Sequence, residues 1–187
     1  MLEHVILKLK ASGFTEIVIN VHHFADQILD FLQANHNFGV DIHISDETEE
    51  LLDTGGGLEK AGKYFISSCH EDKNGILLHN VDILSNCNLQ DLIRFHQQTP
   101  DVYATMLVSR RITSRYLLFD DNNLLCGWIN KTTGEVKPAG LKYEEGKYRE
   151  YAYSGIQAIN PLLLNKGMKP GKYSICLLYT SDAADEL

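Results

Sequence analysis

The stretch Gly75-Ile76-Leu77-Leu78-His79-Asn80-Val81-Asp82-Ile83 decides the fold of this chain. Its apolar run is typical of a strand buried on both faces of a mainly parallel sheet. In open sheets of that kind, ligands bind outside the carboxyl ends of the strands. Asp82 stands at such an end, so it is the first candidate for a residue that binds substrate or metal. The alternative is that Asp82 only opens the following turn, where aspartate is common.

Helices and strands alternate on both sides of this run. Apolar residues at helical spacing predict a helix from Leu2 to a stop at Gly13, and β-branched residues predict a strand over Glu16–Val21. The pattern continues with a helix at residues 24–32, a strand at 40–44, a helix after the N-cap Asn88 and a strand at 103–108. This alternation predicts an α/β fold, a three-layer α/β/α sandwich around a mainly parallel, Rossmann-like sheet. A helix or an edge strand at residues 76–81 would contradict that prediction.

The second half of the chain has a different pattern. Apolar runs at residues 116–119 and 124–129 flank the tetrapeptide Asp120-Asp121-Asn122-Asn123, which predicts a β-hairpin excursion from the sheet. The polar residues 130–149 predict a loop or a small excursion. A strand at residues 151–159 is expected to follow, and Pro161 is expected to open a short helix.

Composition limits the classes of function. The 187 residues include 25 acidic and 17 basic residues, a net charge of −8, and no run is rich in lysine or arginine. We therefore expect no nucleic-acid partner, and because no apolar stretch is long enough to cross a bilayer, no membrane partner. The length is that of one domain, and the oligomeric state is left open. The cysteines form no CxxC pair, so free thiols in a reducing cytoplasm are expected at Cys69, Cys87, Cys126 and Cys176.

The end of the chain breaks the preceding pattern. The segment from Cys176 to Glu186 looks like a translated sequencing adapter, so residues 1–175 are expected to form a partial domain and residues 176–187 an artefact tail. The alternative is a short, exposed acidic tail, which would carry no chemistry either.

Several motifs follow one another in the order of a known enzyme family: Met1-Leu2-Glu3-His4, Leu52-Asp53-Thr54-Gly55-Gly56-Gly57, His79-Asn80-Val81-Asp82 and Ser154-Gly155-Ile156-Gln157. From Met1 to about Ile175 the chain resembles bacterial sugar-1-phosphate nucleotidylyltransferases, which include mannose-1-phosphate guanylyltransferases and N-acetylmuramate-1-phosphate uridylyltransferases. The resemblance implies a cytoplasmic, Mg²⁺-dependent enzyme. Such an enzyme joins a sugar 1-phosphate to a nucleoside triphosphate, GTP or UTP, and releases pyrophosphate while making precursors for the cell envelope or polysaccharides.

The resemblance assigns roles to two segments in the first half of the chain. Asp82 matches the metal-binding aspartate, which would hold Mg²⁺ together with phosphate oxygens and water. Thr54, Gly55, Gly56 and Gly57 match the loop that contacts the nucleobase, where missing side chains allow close approach. The alternative for these glycines is a tight turn that opens a helix near Leu58.

Further roles fall on residues outside these two segments. Lys131 matches a lysine that binds the sugar phosphate as a point charge, so Asp82 and Lys131 are the expected catalytic residues; the alternative is an exposed lysine after a hairpin. Asn130, expected to contact the sugar, departs from the glutamate that the family commonly has. Gly155 matches a glycine that lets the sugar approach the sheet, with a strand bulge as the alternative.

Residues at the end of the predicted strand over Glu16–Val21 and just after it are also candidates. Asn20 is expected to face the nucleotide. His22 and His23 are expected to be loop residues, because no third ligand at zinc-like spacing accompanies them.

Two motifs of the family are absent from the sequence: G-x-G-T-R before the first helix, and a second acidic motif, D-V-G, near the carboxyl end. We therefore expect the chain to be the middle of a longer enzyme and to be inactive by itself. Two other functions stay open. One is a non-catalytic nucleotide-sugar-binding module of the same fold, and the other is a metal-dependent glycosyltransferase, since Asn80-Val81-Asp82 differs by one residue from the D-x-D motif of those enzymes.

Overall fold

The computed structural model describes residues 1–66, 75–99, 101–165, 168, 170–175 and 179. In these ranges the helices are α1 (Leu2–Ala11), α2 (Ala25–Ala34), α3 (Asp53–Ile66), α4 (Leu89–Gln98) and α5 (Leu162–Asn165), with a 3-10 turn at His36–Gly39. The strands are β1 (Glu16–Val21), β2 (Asp41–Asp46), β3 (Ile76–His79), β4 (Ala104–Ser109), β5 (Arg115–Phe119), β6 (Leu125–Asn130), β7 (Glu135–Lys137) and β8 (Arg149–Ile159). Cys69 and the expected artefact tail, apart from Tyr179, lie outside the described residues.

Local signals in the sequence explain where the helices begin and end. α1 stops before Gly13, whose φ of +86° is a left-handed conformation that suits glycine. The side chain of Asn88 caps α4 by accepting a hydrogen bond of 3.0 Å from the backbone N–H of Gln90. Both predicted helix boundaries are confirmed.

The strands form a two-stranded sheet, β1–β2, and a six-stranded sheet organised by β8. β1 and β2 pair in parallel, whereas the pairs β3–β8, β4–β8, β5–β6, β5–β8 and β6–β7 are all antiparallel. The α/β class is confirmed, but the expectation of a mainly parallel sheet is wrong for the described strands. Hydrophobic spacing identifies a strand without specifying its direction, which here depends on β8 returning from late in the chain.

β3 lies at the end of the larger sheet, since β8 is its one pairing partner among the described strands. The expectation that residues 76–81 form a central strand is therefore wrong for this part of the chain. Contact with the core on both faces is confirmed, because Leu77 packs in one hydrophobic cluster while Ile76 and Leu78 pack in another. The strand is apolar because its side chains pack against helices on both faces of the sheet, and not because it has a neighbouring strand along each edge.

The same two clusters define the layers of the fold. Ile156 and Ala158 of β8 pack with side chains from α1, α2 and α4, and Ile159 packs with α3 and α5. Successive side chains of a strand point to opposite faces, so the clusters lie on opposite faces of the sheet. The predicted three layers are therefore confirmed by helices on both faces of the sheet, although β3 takes, among the described strands, the edge position that the prediction excluded. None of the helices in the described ranges is both long and apolar enough to cross a membrane.

The predicted hairpin is confirmed as β5 and β6, which pair antiparallel. Its turn is held by the Asp120 carboxylate, which accepts hydrogen bonds from the backbone N–H groups of Asn122 at 2.9 Å and Leu124 at 2.8 Å. The following polar segment, predicted to be a loop or a small excursion, contains the short strand β7, which pairs with β6. β8 begins at Arg149, slightly before the predicted start.

His96 makes the stability of the fold depend on pH. Its side chain is buried in α4, with Nδ1 2.9 Å from Oγ1 of Thr105, and burial lowers its pKa below the ordinary 6.5. The unfolded chain therefore binds a proton that the folded protein does not, so stability falls as the pH drops below about 6.5. Burial also lowers the pKa of His79, which adds to the effect.

We expect urea to unfold the protein at a lower concentration at about pH 5.5 than at about pH 7.5. The difference should shrink, without vanishing, in His96→Gln, since His79 retains its contribution. The exposed His23 offers a matched control, and His23→Gln should keep the full difference. An unchanged pH dependence in His96→Gln would contradict the assignment.

Candidate functional site

The carboxyl ends of β1 and β2 lie side by side because these strands are parallel, with Asn20 opposite Ser45. Glu47 follows β2 and is only 3% exposed. Its carboxylate accepts hydrogen bonds from the Asn20 amide at 2.8 Å and from the backbone N–H of Leu52 at 3.1 Å. Glu47 therefore joins the end of β1 to the segment that leads into α3.

The backbone of Glu47 strengthens this connection. Its N–H donates to the carbonyl oxygen of Val21 at 2.7 Å, and its carbonyl oxygen accepts from Nδ1 of His22. Sequence reasoning missed this residue because it lies in the acidic run Asp46-Glu47-Thr48-Glu49-Glu50, which is typical of a solvated loop. The Asn20 amide, expected to face a nucleotide, is bonded to Glu47 in this structure, and a nucleotide contact stays a prediction.

The segment Thr54 to Gly57 forms the first turn of α3, which begins at Asp53 rather than near Leu58. A methyl group added at Gly55 would lie 2.3 Å from the ring of Tyr173, and one added at Gly56 would lie 1.9 Å from the carbonyl oxygen of Gly171. Both glycines are therefore required by packing within the chain itself.

Gly57 has a different neighbour. A methyl group there would lie 2.6 Å from both the Asn20 amide nitrogen and a carboxylate oxygen of Glu47. Three consecutive glycines thus have three local packing reasons, and their number alone does not indicate a nucleotide. Thr54 is the exposed member of the segment, while Gly55, Gly56 and Gly57 are buried.

Residues 171–175 cover this first turn of α3. The N–H of Gly55 donates to the carbonyl oxygen of Tyr173 at 2.9 Å, and the N–H of Tyr173 donates to that of Leu52 at 3.3 Å. The Thr54 hydroxyl accepts from the N–H of Ile175 at 3.0 Å. A stretch far along the chain therefore satisfies polar groups at the start of α3.

Asp82 lies in an exposed turn after β3, and Gly155 of β8 allows that turn to pack closely. Gly155 has φ +73°, and a methyl group on it would lie 2.6 Å from the Ile83 side chain. The N–H of Asn80 donates to the Gly155 carbonyl oxygen at 2.8 Å. Gly155 also lies where the register of β4 and β8 shifts, so the bulge alternative is observed, and its sugar contact stays a prediction.

The residues around Asp82 can be tested for their fit to a metal ion. Among the described residues, no three His, Cys, Asp or Glu side chains are grouped in a way that would hold a metal. A protein-made zinc site needs three or four such ligands, whereas Mg²⁺ binds one or two carboxylates and keeps water and substrate phosphates as its other ligands. The exposed Asp82 carboxylate fits a magnesium ion shared with a phosphate.

Lys131 belongs to a group of four side chains that we name the lysine cluster: Lys131, Glu150, Tyr143 and Tyr116. The ammonium of Lys131 lies 2.5 Å from Oε2 of Glu150, and the Tyr143 hydroxyl donates to Oε1 of Glu150 at 2.6 Å. The ammonium also lies 5.2 Å from the centre of the Tyr116 ring and 5.8 Å from that of Tyr143. The sequence pointed to Lys131 but not to its partners, which come from β5, from a loop and from β8.

The lysine cluster keeps its charges over a wide pH range. The hydrogen bond with Glu150 raises the pKa of Lys131 above 10.5 and that of Tyr143 above 10.0. Partial burial raises the pKa of Glu150, but hydrogen bonds from Lys131 and Tyr143 lower it more, so the net pKa lies below 4.5. At neutral pH the pair is an ammonium beside a carboxylate, and Tyr143 is a neutral hydrogen-bond donor.

Asn130 precedes Lys131, but its oxygen atoms form hydrogen bonds within the turn that follows it. Its side-chain oxygen accepts from the N–H of Thr132 at 3.0 Å, and its carbonyl oxygen accepts from the N–H of Gly134 at 2.7 Å. Only 9% of Asn130 is exposed. The residue therefore shapes the connection from β6 to β7, and the expected sugar contact stays a prediction.

We expect Glu47→Ala to lower the free energy of unfolding by about 2–3 kcal/mol, because it leaves the Asn20 amide and the Leu52 N–H without their acceptor. Urea denaturation measures this loss. Glu49→Ala is the matched control, since Glu49 is an exposed glutamate of the same loop and should change stability by less than about 0.5 kcal/mol. Equal stability of the two variants would show that Glu47 does not organise this edge.

Sequence comparison relates this chain to known proteins. Residues 1–117 match the family described as nucleotidyl transferase. A mannose-1-phosphate guanyltransferase from Gibberella zeae is 33% identical over 98 residues, which is 52% of this chain and 26% of that protein. An N-acetylmuramate alpha-1-phosphate uridylyltransferase from Caulobacter vibrioides is 38% identical over 63 residues, 33% of this chain and 26% of that protein. The matched stretches thus span about a quarter of each of these relatives.

Comparison with solved structures supports the same fold. The crystal structure of HddC from Yersinia pseudotuberculosis superposes with a TM-score of 0.66 at 18% identity, covering 93% of this chain and 68% of that one. The structure of HddC complexed with GMP-PN gives a TM-score of 0.67 at 17% identity, covering 94% of this chain and 69% of that one. At this identity the likeness concerns the fold alone, which these proteins share.

Proposed function

Since the chain belongs to the nucleotidyl transferase family, we propose that it is part of an enzyme that joins a sugar 1-phosphate to a nucleoside triphosphate and releases pyrophosphate. One observation carries the proposal: Asp82 stands in an exposed turn that Gly155 holds against the central strand β8. A carboxylate at that position is open to a ligand and is supported by a rigid sheet. The relatives whose names include transfer to mannose 1-phosphate and N-acetylmuramate 1-phosphate suggest the substrate class.

In this proposal Asp82 is the residue that would hold Mg²⁺. The ion, when bound, supplies positive charge that offsets the charge on the phosphates during transfer. Asp82 contributes a carboxylate on a turn whose start is tied to β8, because the N–H of Asn80 donates to the carbonyl oxygen of Gly155. The reaction needs little covalent participation by the protein, so positioning and charge are the main tasks of its side chains.

Two other segments take the remaining tasks. Lys131, which stays charged at neutral pH, binds the phosphate of the sugar. Thr54 is the exposed member of the Thr54–Gly57 segment, so it is the residue of that segment that a nucleotide would contact, although its hydroxyl also accepts the N–H of Ile175. The Glu47 carboxylate accepts a hydrogen bond from the N–H of Leu52 and so fixes the segment that leads into α3.

The test is pyrophosphate release by a protein that extends these residues to the length of the relatives. We expect release with GTP or UTP together with one sugar 1-phosphate from a panel of hexose and amino-sugar phosphates, and loss of release when a chelator removes divalent cations. Parallel assays with ATP and CTP identify the base preference. Absence of release with every pair, from a folded protein, would overturn the proposed function.

A further inference from the structure

The connection from β4 to β5 carries a local excess of positive charge. Three of the five arginines of the chain lie in the segment Arg110-Arg111-Ile112-Thr113-Ser114-Arg115, which we name the arginine loop. No acidic residue occurs between Asp101 and Asp120, although the whole chain has a net charge of −8. The arginine loop is therefore a cationic patch on an acidic protein, and such a patch attracts anions.

The arginines of this loop differ from the other two arginines in their partners. Arg94 lies 2.9 Å from Asp91, and Arg149 lies 3.4 Å from Asp121. Within the described ranges, no ion pair includes an arginine of the loop, and all three of these residues are exposed. Their positive charges are thus available to an anion from solution.

Hydrogen bonds hold the arginine loop in place on the sheet. The hydroxyl of Tyr116 accepts from the N–H of Thr113 at 3.1 Å, and the carbonyl oxygen of Ser114 accepts from the N–H of Lys131 at 2.8 Å. The Thr113 hydroxyl accepts in turn from the N–H of Arg115 at 3.3 Å. Because an anchored loop loses less conformational freedom on binding than a free one, this anchoring favours the capture of a ligand.

Two of the guanidinium groups have defined positions along β8. Nη2 of Arg111 donates to the carbonyl oxygen of Tyr153 at 3.2 Å, and the guanidinium carbon of Arg110 lies 5.9 Å from the centre of the Tyr151 ring. Tyr151 and Tyr153 are two residues apart, which is about 7 Å along a strand. A guanidinium has five N–H donors, so Arg111 keeps donors for a ligand after bonding to Tyr153.

This arrangement favours a ligand with linked phosphate groups. A guanidinium binds phosphate through paired N–H donors, and it stays charged throughout the physiological pH range. A single phosphate satisfies one such fork, whereas linked phosphates reach several forks and carry more negative charge to match three arginines. A single carboxylate offers less charge and fewer acceptor atoms, so it fits the loop less well.

We propose that the arginine loop binds a polyphosphate group, with Arg110 and Arg111 contacting different phosphates of the ligand and Arg115 adding positive charge. The inference goes beyond the proposed function, which places phosphate binding at Asp82 and Lys131 and assigns no role to these arginines. The shared chemistry is that of linked phosphates, whether in free pyrophosphate or in the tail of a nucleoside triphosphate.

The test is calorimetry and phosphorus NMR titration of the 187-residue chain with pyrophosphate. Divalent cations are removed, so that metal-dependent binding at Asp82 does not contribute. We expect a Kd in the millimolar range or below, about tenfold tighter than that of inorganic phosphate or sulfate, and weaker binding as the salt concentration rises. GTP and GMP distinguish the two sources of the ligand: binding of GTP but not of GMP supports a nucleotide, and binding of pyrophosphate alone supports the free anion.

Arg111→Gln should weaken pyrophosphate binding about tenfold, since it removes the charge and the paired donors. Arg94→Gln is the matched control, because it removes the same charge from α4 and should leave the binding unchanged. Both residues are exposed, so both variants should unfold at the temperature of the unaltered protein. Should Arg111→Gln disturb the loop through the lost bond to Tyr153, Arg110→Gln provides the same comparison, with an expected loss of about fivefold.

Absence of pyrophosphate binding at about 10 mM, or equal binding by the unaltered protein and both loop variants, would overturn the inference. Equal affinity for pyrophosphate and inorganic phosphate would overturn it as well, because it indicates a site for a single phosphate. Loss of binding in Lys131→Met, with full binding in the arginine variants, would place the anion at Lys131 instead. The pyrophosphate-release assay is independent of these results: metal-free binding that depends on Arg111, without release, would reject the proposed function and leave the site at the arginine loop in place.

Discussion

Replacing Asp82 with Asn is expected to lower the rate of pyrophosphate release by about a thousandfold or more in an enzyme that carries these residues. The exchange preserves the size of the side chain and suits the same exposed turn, but it removes the negative charge that would hold Mg²⁺. A factor of a thousand corresponds to about 4 kcal/mol of lost transition-state stabilisation, which is reasonable for a metal ligand in phosphoryl transfer.

The measurement is the turnover rate at saturating substrates over a range of Mg²⁺ concentrations. Asp101→Asn is the matched control, since Asp101 is another exposed aspartate in a turn and lies outside every proposed site. Both variants should unfold at the temperature of the unaltered protein, because neither aspartate is buried. Near-normal turnover of Asp82→Asn at saturating Mg²⁺ would count decisively against the metal-binding role.

Gly56→Ala is expected to destabilise the chain by about 2 kcal/mol or more, although alanine favours a helix over glycine by about 1 kcal/mol. The added methyl group would lie 1.9 Å from the carbonyl oxygen of Gly171 and 3.0 Å from Cβ of Leu52. The Gly171 oxygen is a backbone atom and the Leu52 Cβ is attached directly to the backbone, so a side-chain rotation cannot move either of them away. Residues 171–175 must therefore shift, which weakens the hydrogen bonds that join Tyr173 to Gly55 and to Leu52.

The same helix contains a control of opposite sign. A methyl group at Gly62 would meet only side-chain atoms of Leu164, the nearest at 3.5 Å, which is ordinary contact. Gly62→Ala should therefore gain about 0.5–1 kcal/mol from helix propensity. Urea denaturation measures whether the free energy of unfolding falls in Gly56→Ala and rises in Gly62→Ala. Equal stability of the two variants would mean that residues 171–175 do not pack on α3 as described.

Much of the secondary structure could be predicted because its causes are local. The stop of α1 depends on Gly13, the start of α4 on the Asn88 cap, and the hairpin turn on the Asp120 carboxylate. Each of these signals acts within a few residues of the chain, so the local sequence contains every residue that takes part. The candidate residues were also named from the sequence, Asp82 by its position after a predicted strand and by motif resemblance, and Lys131 by resemblance alone; their roles stay predictions.

The partners of those residues could not be found in the same way. Glu47 stands in an acidic run that resembles a solvated loop, yet it is buried by contacts with Asn20 and Leu52. Glu150 reaches Lys131 only because β5 and β8 pair and the intervening loop folds back with Tyr143. Such contacts depend on which strands become neighbours, and hydrophobic spacing carries no information about that choice.

The sequence by itself determined the α/β class, the positions of most helices and strands, and the membership of Asp82 in a turn after a buried strand, because these follow from periodicity and short-range hydrogen bonding. The tertiary structure alone decided that the larger sheet is antiparallel around β8 and that β3 lies at its end among the described strands. It also decided that residues 171–175 cover the glycines of α3. These features join residues far apart in the chain, where packing of two hydrophobic layers selects the partners and local preferences have no influence.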